Sequence, residues 1–192
     1  MAKPTLFSKK EWYGFRKETI MWYVIQVTTG KEEETKHVIE REVDHLLYKN
    51  CFYIGRERVW RREGQCIVHL ETMFPGYLFV TTDYPKELYQ ELKRIPKLTK
   101  LLRAEGEVFL AVDEEEEEFL RNLLDGDVEY VVRLSKVEVD EEKNIVKADG
   151  PLRHYLDKIV KKKIRLRYVM IEMRLFEKDR QILIGIRCEE DK

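Results

Sequence analysis

The 192-residue chain is poor in the residues on which most enzymes are built. Its two serines, Ser8 and Ser135, lie outside any G-x-S-x-G, so a hydrolase with a nucleophile elbow is not encoded. Its nine glycines form no G-x-G and no P-loop, which removes the usual cradles for a dinucleotide or a nucleoside triphosphate. His37, His45, His69 and His154 are scattered, and with neither H-E-x-x-H nor C-x-x-C no zinc site is encoded locally. Cys51, Cys66 and Cys188 are odd in number and widely spaced, which suits free thiols in a reducing compartment. No apolar stretch approaches the roughly 18–20 residues of a membrane span. The basic start at Lys3, Lys9 and Lys10 never runs into the apolar core of a secretory signal. The expectation is a cytoplasmic, non-enzymatic protein with no cofactor, metal or membrane partner. An enzyme whose site is assembled only in three dimensions is the remaining catalytic alternative.

Apolar residues for a folded core are present: ten Tyr, eight Phe and three Trp, with Leu, Ile and Val throughout. Charge is nearly balanced, 36 basic against 37 acidic residues, but it is unevenly placed. The segment from Arg153 to Arg167 holds seven basic residues and one Asp, so near-neutrality of the whole chain does not argue against a nucleic-acid contact.

Met21 to Thr28 reads as a buried strand, and Val38, Ile39, Val43, Leu46 and Leu47 give an amphipathic helix from Lys31 to Lys49. Two strand-like stretches, Cys51 to Trp60 and Gln65 to Thr82, flank a turn at Arg61-Arg62-Glu63-Gly64. A helix beginning near Pro85 closes at Pro96; a short strand pair follows (Lys100 to Arg103, Val108 to Val112). Asp113-x-x-Glu116 then opens a helix buried through Phe119, Leu120, Leu123 and Leu124, and its Glu114–Glu118 run suits the positive end of a helix macrodipole. The remainder is rich in Val and Ile and punctuated by Lys143-Asn144 and Asp149-Gly150-Pro151, as a small all-β domain would be. The expected fold class is α+β. Residues 1–20 form an extension of unknown role, 21–124 an α/β sandwich, 125–132 a linker and 133–192 a small β-barrel.

The most informative segment is Met73-Phe74-Pro75-Gly76-Tyr77-Leu78-Phe79-Val80. Pro-Gly makes a tight entry to a strand whose alternation sets Tyr77 and Phe79 on one face and Leu78 and Val80 on the other. If a helix covers one face, the other meets a second layer or forms an exposed aromatic patch for a partner, and the pattern leaves both open.

Trp22-Tyr23-Val24 in the first strand, Gly30 before a charged helix, and F-P-G-Y-L-F-V after a hairpin resemble the N-terminal (NGN) domain of the NusG family of transcription elongation factors. Gly150-Pro151-Leu152 running into Ile159-Val160 and a basic strand is similar to the KOW barrel that follows it in that family. Thr29-Gly30-Lys31-Glu32 and the basic KOW strand resemble the specialised LoaP-type antiterminators. This resemblance implies a groove on the first domain, matched here by Trp22, Tyr23, Phe74, Pro75, Gly76, Tyr77 and Phe79, that docks on the clamp helices of the RNA polymerase largest subunit. Arg56, Arg58, Arg61 and Arg62 line the hairpin with Trp60 among them, a positive, aromatic tip suited to exposed non-template DNA by phosphate pairing and stacking, with Arg41 on the first helix a weaker candidate. A solvated, charge-protected edge strand is the plain alternative for those arginines. The basic run Arg153, Lys158, Lys161, Lys162, Lys163, Arg165 and Arg167 fits the phosphates of nascent RNA, including a hairpin, or a solubilising face. His154 and Asp157 depart from the glycines of the KOW pattern. A ribosomal protein or termination factor is the competing partner for the barrel, and a stand-alone RNA-binding or ribosome-associated KOW protein the competing function.

Overall fold

The computed structural model describes residues 21–62, 65–101, 109–189 and 191. The expected N-terminal extension, 1–20, lies outside them, as do the side chains of Arg61 and Arg62. In chain order the first elements are β1 (Met21–Gln26), α1 (Glu32–Glu42), β2 (Asn50–Phe52), β3 (Gly55–Arg62), β4 (Gln65–Thr72), β5 (Tyr77–Thr82), α2 (Pro85–Arg94), α3 (Pro96–Leu101) and β6 (Phe109–Ala111). They are followed by α4 (Glu114–Leu124), β7 (Val131–Val132), β8 (Ser135–Val139), β9 (Ile145–Ala148), β10 (Ile159–Lys163), β11 (Tyr168–Leu175) and β12 (Lys178–Cys188). The chain divides into two units: residues up to Tyr53 with Pro75–Asp113, and Ile54–Phe74 with Glu114 onward.

In the first unit, the described strands form an antiparallel sheet in the order β2-β5-β1-β6. Cross-strand partners share a face, and the register Tyr23↔Val80, Ile25↔Leu78 and Cys51↔Val80 puts these residues together on one side. They pack with Val38 and Ile39 of α1, Leu88 and Leu92 of α2 and Leu98 of α3. Each such side chain contributes about 1.5–3 kcal/mol on burial. Two sequence expectations fail here for local reasons. The first helix stops at Glu42, not Lys49: Val43 is extended, and the Asp44 carboxylate accepts from the Leu46 N–H at 2.9 Å, opening a separate 3₁₀ turn. Pro96 does not close the helical region but starts α3, where a missing N–H costs nothing. Lys100, expected in a strand, therefore lies in α3.

In the second unit, two sheets run β4-β3-β7 and β10-β11-β12-β8-β9 among the described residues. The larger is the strand-rich half-barrel of a KOW-like domain, with β8 parallel to β12 and every other pairing antiparallel. The Lys162 ammonium donates to the Asn144 side-chain carbonyl at 2.7 Å, joining β10 to the β8–β9 turn. The helix α4 packs by Phe119 on Tyr155, ring centroids 5.0 Å apart, and the Tyr155 hydroxyl donates to the Phe119 carbonyl at 3.2 Å. The buried Glu116 carboxylate accepts from the Phe176 N–H at 2.6 Å. Gly185 of β12 lies so close to β3 that a Cβ there would stand 2.3 Å from the Glu57 carbonyl oxygen.

Both long stretches expected as single strands are interrupted, at Tyr53-Ile54 and at Met73–Gly76. The Met73 N–H donates to the Ile54 carbonyl at 2.8 Å, and the chain passes from one unit to the other at these two breaks.

Candidate functional site

The Pro75-Gly76 turn is held from α1. Gly76 has φ +86°, in the left-handed region, and a Cβ on it would meet the Thr29 hydroxyl at 3.1 Å and the Val27 carbonyl at 3.3 Å. Its N–H donates to the buried Glu32 carboxylate at 2.5 Å, and the Gly30 N–H donates to the same oxygen at 3.1 Å. A carboxylate in the first turn of a helix is favoured by the macrodipole, so Glu32 both starts α1 and fixes the entry to β5. In the sequence Glu32 stands out only as the end of Thr29-Gly30-Lys31-Glu32, because a helix-starting acid looks solvated until the turn it serves is seen.

The structure divides the seven matched groove residues. Trp22 and Phe79 lie on the sheet face opposite the helices, where Phe52 completes an aromatic cluster: Trp22–Phe52 at 5.1 Å and 81°, Phe52–Phe79 at 5.6 Å and 16°. Tyr23 faces the other way and stacks on Phe109 at 4.9 Å and 14°. Tyr77 and Phe79 are buried, the latter with no exposed surface, so both faces of β5 are covered in this conformation. Phe74 belongs to the second unit and packs edge-to-face on Phe176, centroids 5.9 Å apart, with 5% of its surface exposed.

On the β3–β4 hairpin, Arg56 grips Glu71 through Nε and Nη2, both at 2.7 Å, and its Nη1 reaches the Leu183 carbonyl at 3.4 Å. Arg58 lies 3.5 Å from the same carboxylate and 5.6 Å from the Tyr168 ring centroid. Partial burial pushes the Glu71 carboxyl up, but the hydrogen bond and charge of Arg56, with Arg58 and His69, outweigh it and hold the group below its usual range. Glu71 is therefore charged at neutral pH and neutralises much of what these guanidinia offer a phosphate. Arg61 and Arg62 stand in register with the uncharged Cys66 and Gln65. Arg41, in the last turn of α1, pairs with Glu42 at 2.7 Å on an exposed surface.

The basic run largely faces solvent. Lys158, Lys161, Lys162, Lys163 and Arg165 are exposed, with Lys161 and Lys163 on the face of Met170 and Tyr168 and Lys162 in register with Val169. Arg153 is exposed but forms a two-pronged pair with Asp125, at 2.9 and 2.6 Å. Arg167 is the exception among the expected ridge residues. It is 2% exposed, its guanidinium donates twice to Asp191 at 2.6 and 2.7 Å and once to the Ile164 carbonyl at 2.6 Å, and its role in this conformation is structural.

Residues 20–121 match the family model described as "Transcription termination factor nusG", more than half of the chain. The chain belongs to the NusG family. A solved structure of Thermotoga maritima NusG, titled for its domain interaction, is similar with 18% identity and a TM-score of 0.48, over 87% of this chain and 94% of that one. Comparison with curated proteins finds no match. NusG-family proteins are non-enzymatic, cytoplasmic transcription factors that bind RNA polymerase. In this NusG-family chain, burial pushes the Cys51 thiol up to about 12, so it stays protonated and unreactive at neutral pH.

Proposed function

We propose that this chain is a processivity and antitermination factor of the specialised, LoaP-like kind. An NGN domain spanning 21–124 grips the polymerase clamp helices, and a KOW domain spanning 133–192, reached through 125–132, holds nascent RNA. The observation that carries the first half is the extent of the family match, which contains both the Trp22-Tyr23 strand and the F-P-G-Y-L-F-V segment. A clamp of this kind acts by favouring one polymerase conformation and needs no catalytic residue. Phe74 is buried and packs on Phe176, so its use as a docking anchor requires its surroundings to open. For the second half, the exposed lysines of β10 and Arg165 supply several cations over a short span, suited to phosphates more than to base edges. Non-template DNA lies against the β3–β4 hairpin, with Arg61 and Arg62 as its phosphate contacts, and Arg41 adds a more distant charge.

Single-round transcription through an intrinsic terminator tests this reading. Wild-type protein is expected to raise read-through, more strongly when the transcript carries its recognised RNA. Combined replacement of Lys161, Lys162 and Lys163 by Ala is expected to remove the RNA-dependent part and leave the rest. No change in pausing or read-through at saturating protein would refute the proposal.

A further inference from the structure

We infer that the outer edge of β4 is a dimerisation surface, on which a second copy of this chain pairs its own β4 antiparallel and joins the two β4-β3-β7 sheets into one. The inference is independent of the polymerase and nucleic-acid readings. In the order β4-β3-β7, β3 has a neighbour on each side, while among the described residues no strand pairs with the other side of β4. An edge strand carries a row of unpaired N–H and C=O groups, and soluble proteins usually protect it with charge, above all Lys. Strand β10, at an edge of the larger sheet, follows that rule with Lys161, Lys162 and Lys163. Strand β4 breaks it: Gln65-Cys66-Ile67-Val68-His69-Leu70 holds no Lys, Arg, Asp or Glu, no Gly and no Pro, in a chain of which 38% is charged. The charge sits instead on the inner strand β3, as Arg56, Glu57 and Arg58. Ile67, Val68 and Leu70 are 45%, 40% and 59% exposed, so apolar side chains stand on both faces of β4 beside its open backbone edge.

The strand's own sequence selects the partner. A twofold axis normal to the sheet keeps each face on its own side, so only residues of the same parity meet across it. Centred on Val68, this pairing covers Gln65 to Glu71: Val68 meets its own copy, Cys66 meets Leu70, Ile67 meets His69 and Gln65 meets Glu71. No like charges stand opposite one another, and Val68 and Leu70 of both copies gather on one face while Ile67 lies on the other. A step either way is poorer. Centred on Ile67, the strands overlap only from Gln65 to His69 and leave Leu70 unpaired. Centred on His69, they set the two imidazoles opposite each other and Ile67 opposite Glu71. A strand of another protein would have to supply an uncharged, apolar edge to match, and a second copy already carries one. A single short strand makes a small interface, so the dimer is expected to form and dissociate in the micromolar range.

The test is sedimentation velocity of the full chain across roughly 1–200 µM. The mass is expected to rise from 23.2 kDa toward twice that value with concentration. Val68→Lys sets two ammonium groups against each other at the axis and is expected to weaken association about tenfold or more, and Ile67→Lys, the usual protection of an edge, is expected to do the same. Both positions are exposed, so an unchanged thermal midpoint verifies that the variants are folded. Disulfide trapping reads the register. Paired Cα atoms lie about 4.5–5.5 Å apart, within disulfide reach, so Val68→Cys is expected to give a covalent dimer on mild oxidation. The two native Cys66 residues would stand about 13 Å apart along the strands, so wild type is expected to remain uncrosslinked. Leu46→Cys, exposed and outside the hairpin, is the control for random collision. A wild-type mass that stays at 23.2 kDa throughout would overturn the inference and leave the edge to a strand of another protein. Dimers indifferent to both Lys variants, or trapping of Leu46→Cys as readily as Val68→Cys, would overturn it as well.

Discussion

Gly185→Ala probes how the second unit is held together. The added Cβ would lie 2.3 Å from the Glu57 carbonyl oxygen, 3.3 Å from its carbon and 2.7 Å from a Leu134 methyl. Even weak C–H···O contacts sit at about 3.3–3.6 Å, so β3 and β12 would have to separate by about 1 Å. The obstacle is main chain, which cannot rotate away. Strand β12 is also held at this point by its register with β11 (Tyr168↔Gly185) and β8 (Ile186↔Ser135). Overpacking a core costs about 1–3 kcal/mol, and a clash with backbone belongs at or above the top of that range. Separation would also loosen the Arg56 contact with the Leu183 carbonyl and the seat of Arg58 over Tyr168. A loss of about 3 kcal/mol follows, which at a urea m-value of about 1–3 kcal/mol/M moves the unfolding midpoint by about 1–3 M. Gly126→Ala is the control: Gly126 has φ +79° and nothing within 4 Å of the added carbon, so it carries only the left-handed penalty of about 1–2 kcal/mol. Urea unfolding followed by far-UV circular dichroism compares the two. If Gly185→Ala costs no more than Gly126→Ala, the close approach of β12 to β3 is wrong.

Glu32→Ala leaves the Gly76 and Gly30 N–H groups without their acceptor and is expected to cost about 2 kcal/mol in chemical unfolding, with Glu32→Gln recovering most of it. Arg167→Ala strands the buried Asp191 carboxylate; a loss of about 3–5 kcal/mol is expected, whereas Lys161→Ala and Lys163→Ala leave stability within about 0.5 kcal/mol. Asp127 accepts from Arg133 at 2.6 Å and from the Glu129 and Val131 N–H groups at 2.9 and 3.0 Å. Burial pushes its carboxyl up, but these bonds outweigh it and hold the group below its usual range. A depressed folded pKa stabilises above the unfolded value and is lost as pH falls through the folded one. The stability gap between wild type and Asp127→Asn should thus be full at neutral pH, shrink below about pH 4 and vanish in stronger acid; a gap independent of pH would refute it.

Elements governed by local periodicity were legible in the sequence. Strands β1 and β5 announced themselves by aromatic and β-branched runs, and α4 by its acidic start and Phe119, Leu120, Leu123 stripe. Where the competition was between neighbouring backbone states, the pattern misled: Asp44 ended the first helix with a side-chain bond, and Pro96 fitted a helix start as well as a stop. The candidate interfaces were legible as residue types but not as geometry. Alternation put Tyr77 and Phe79 on one face, yet the partner of Phe79, Phe52, comes from a strand 27 residues away in sequence, through the register of β2 with β5. Arg167 looked like one more ridge cation because Asp191, which buries it, is 24 residues distant. Glu71, which occupies Arg56 and Arg58, is reached only through the register of the hairpin.

The most direct test of the account is binding of the full chain to elongation complexes assembled with an intact RNA polymerase largest subunit and with one whose clamp helices have been replaced. The account predicts saturable binding to the first and its loss with the second. Equal binding to both complexes, or none to either, would contradict it.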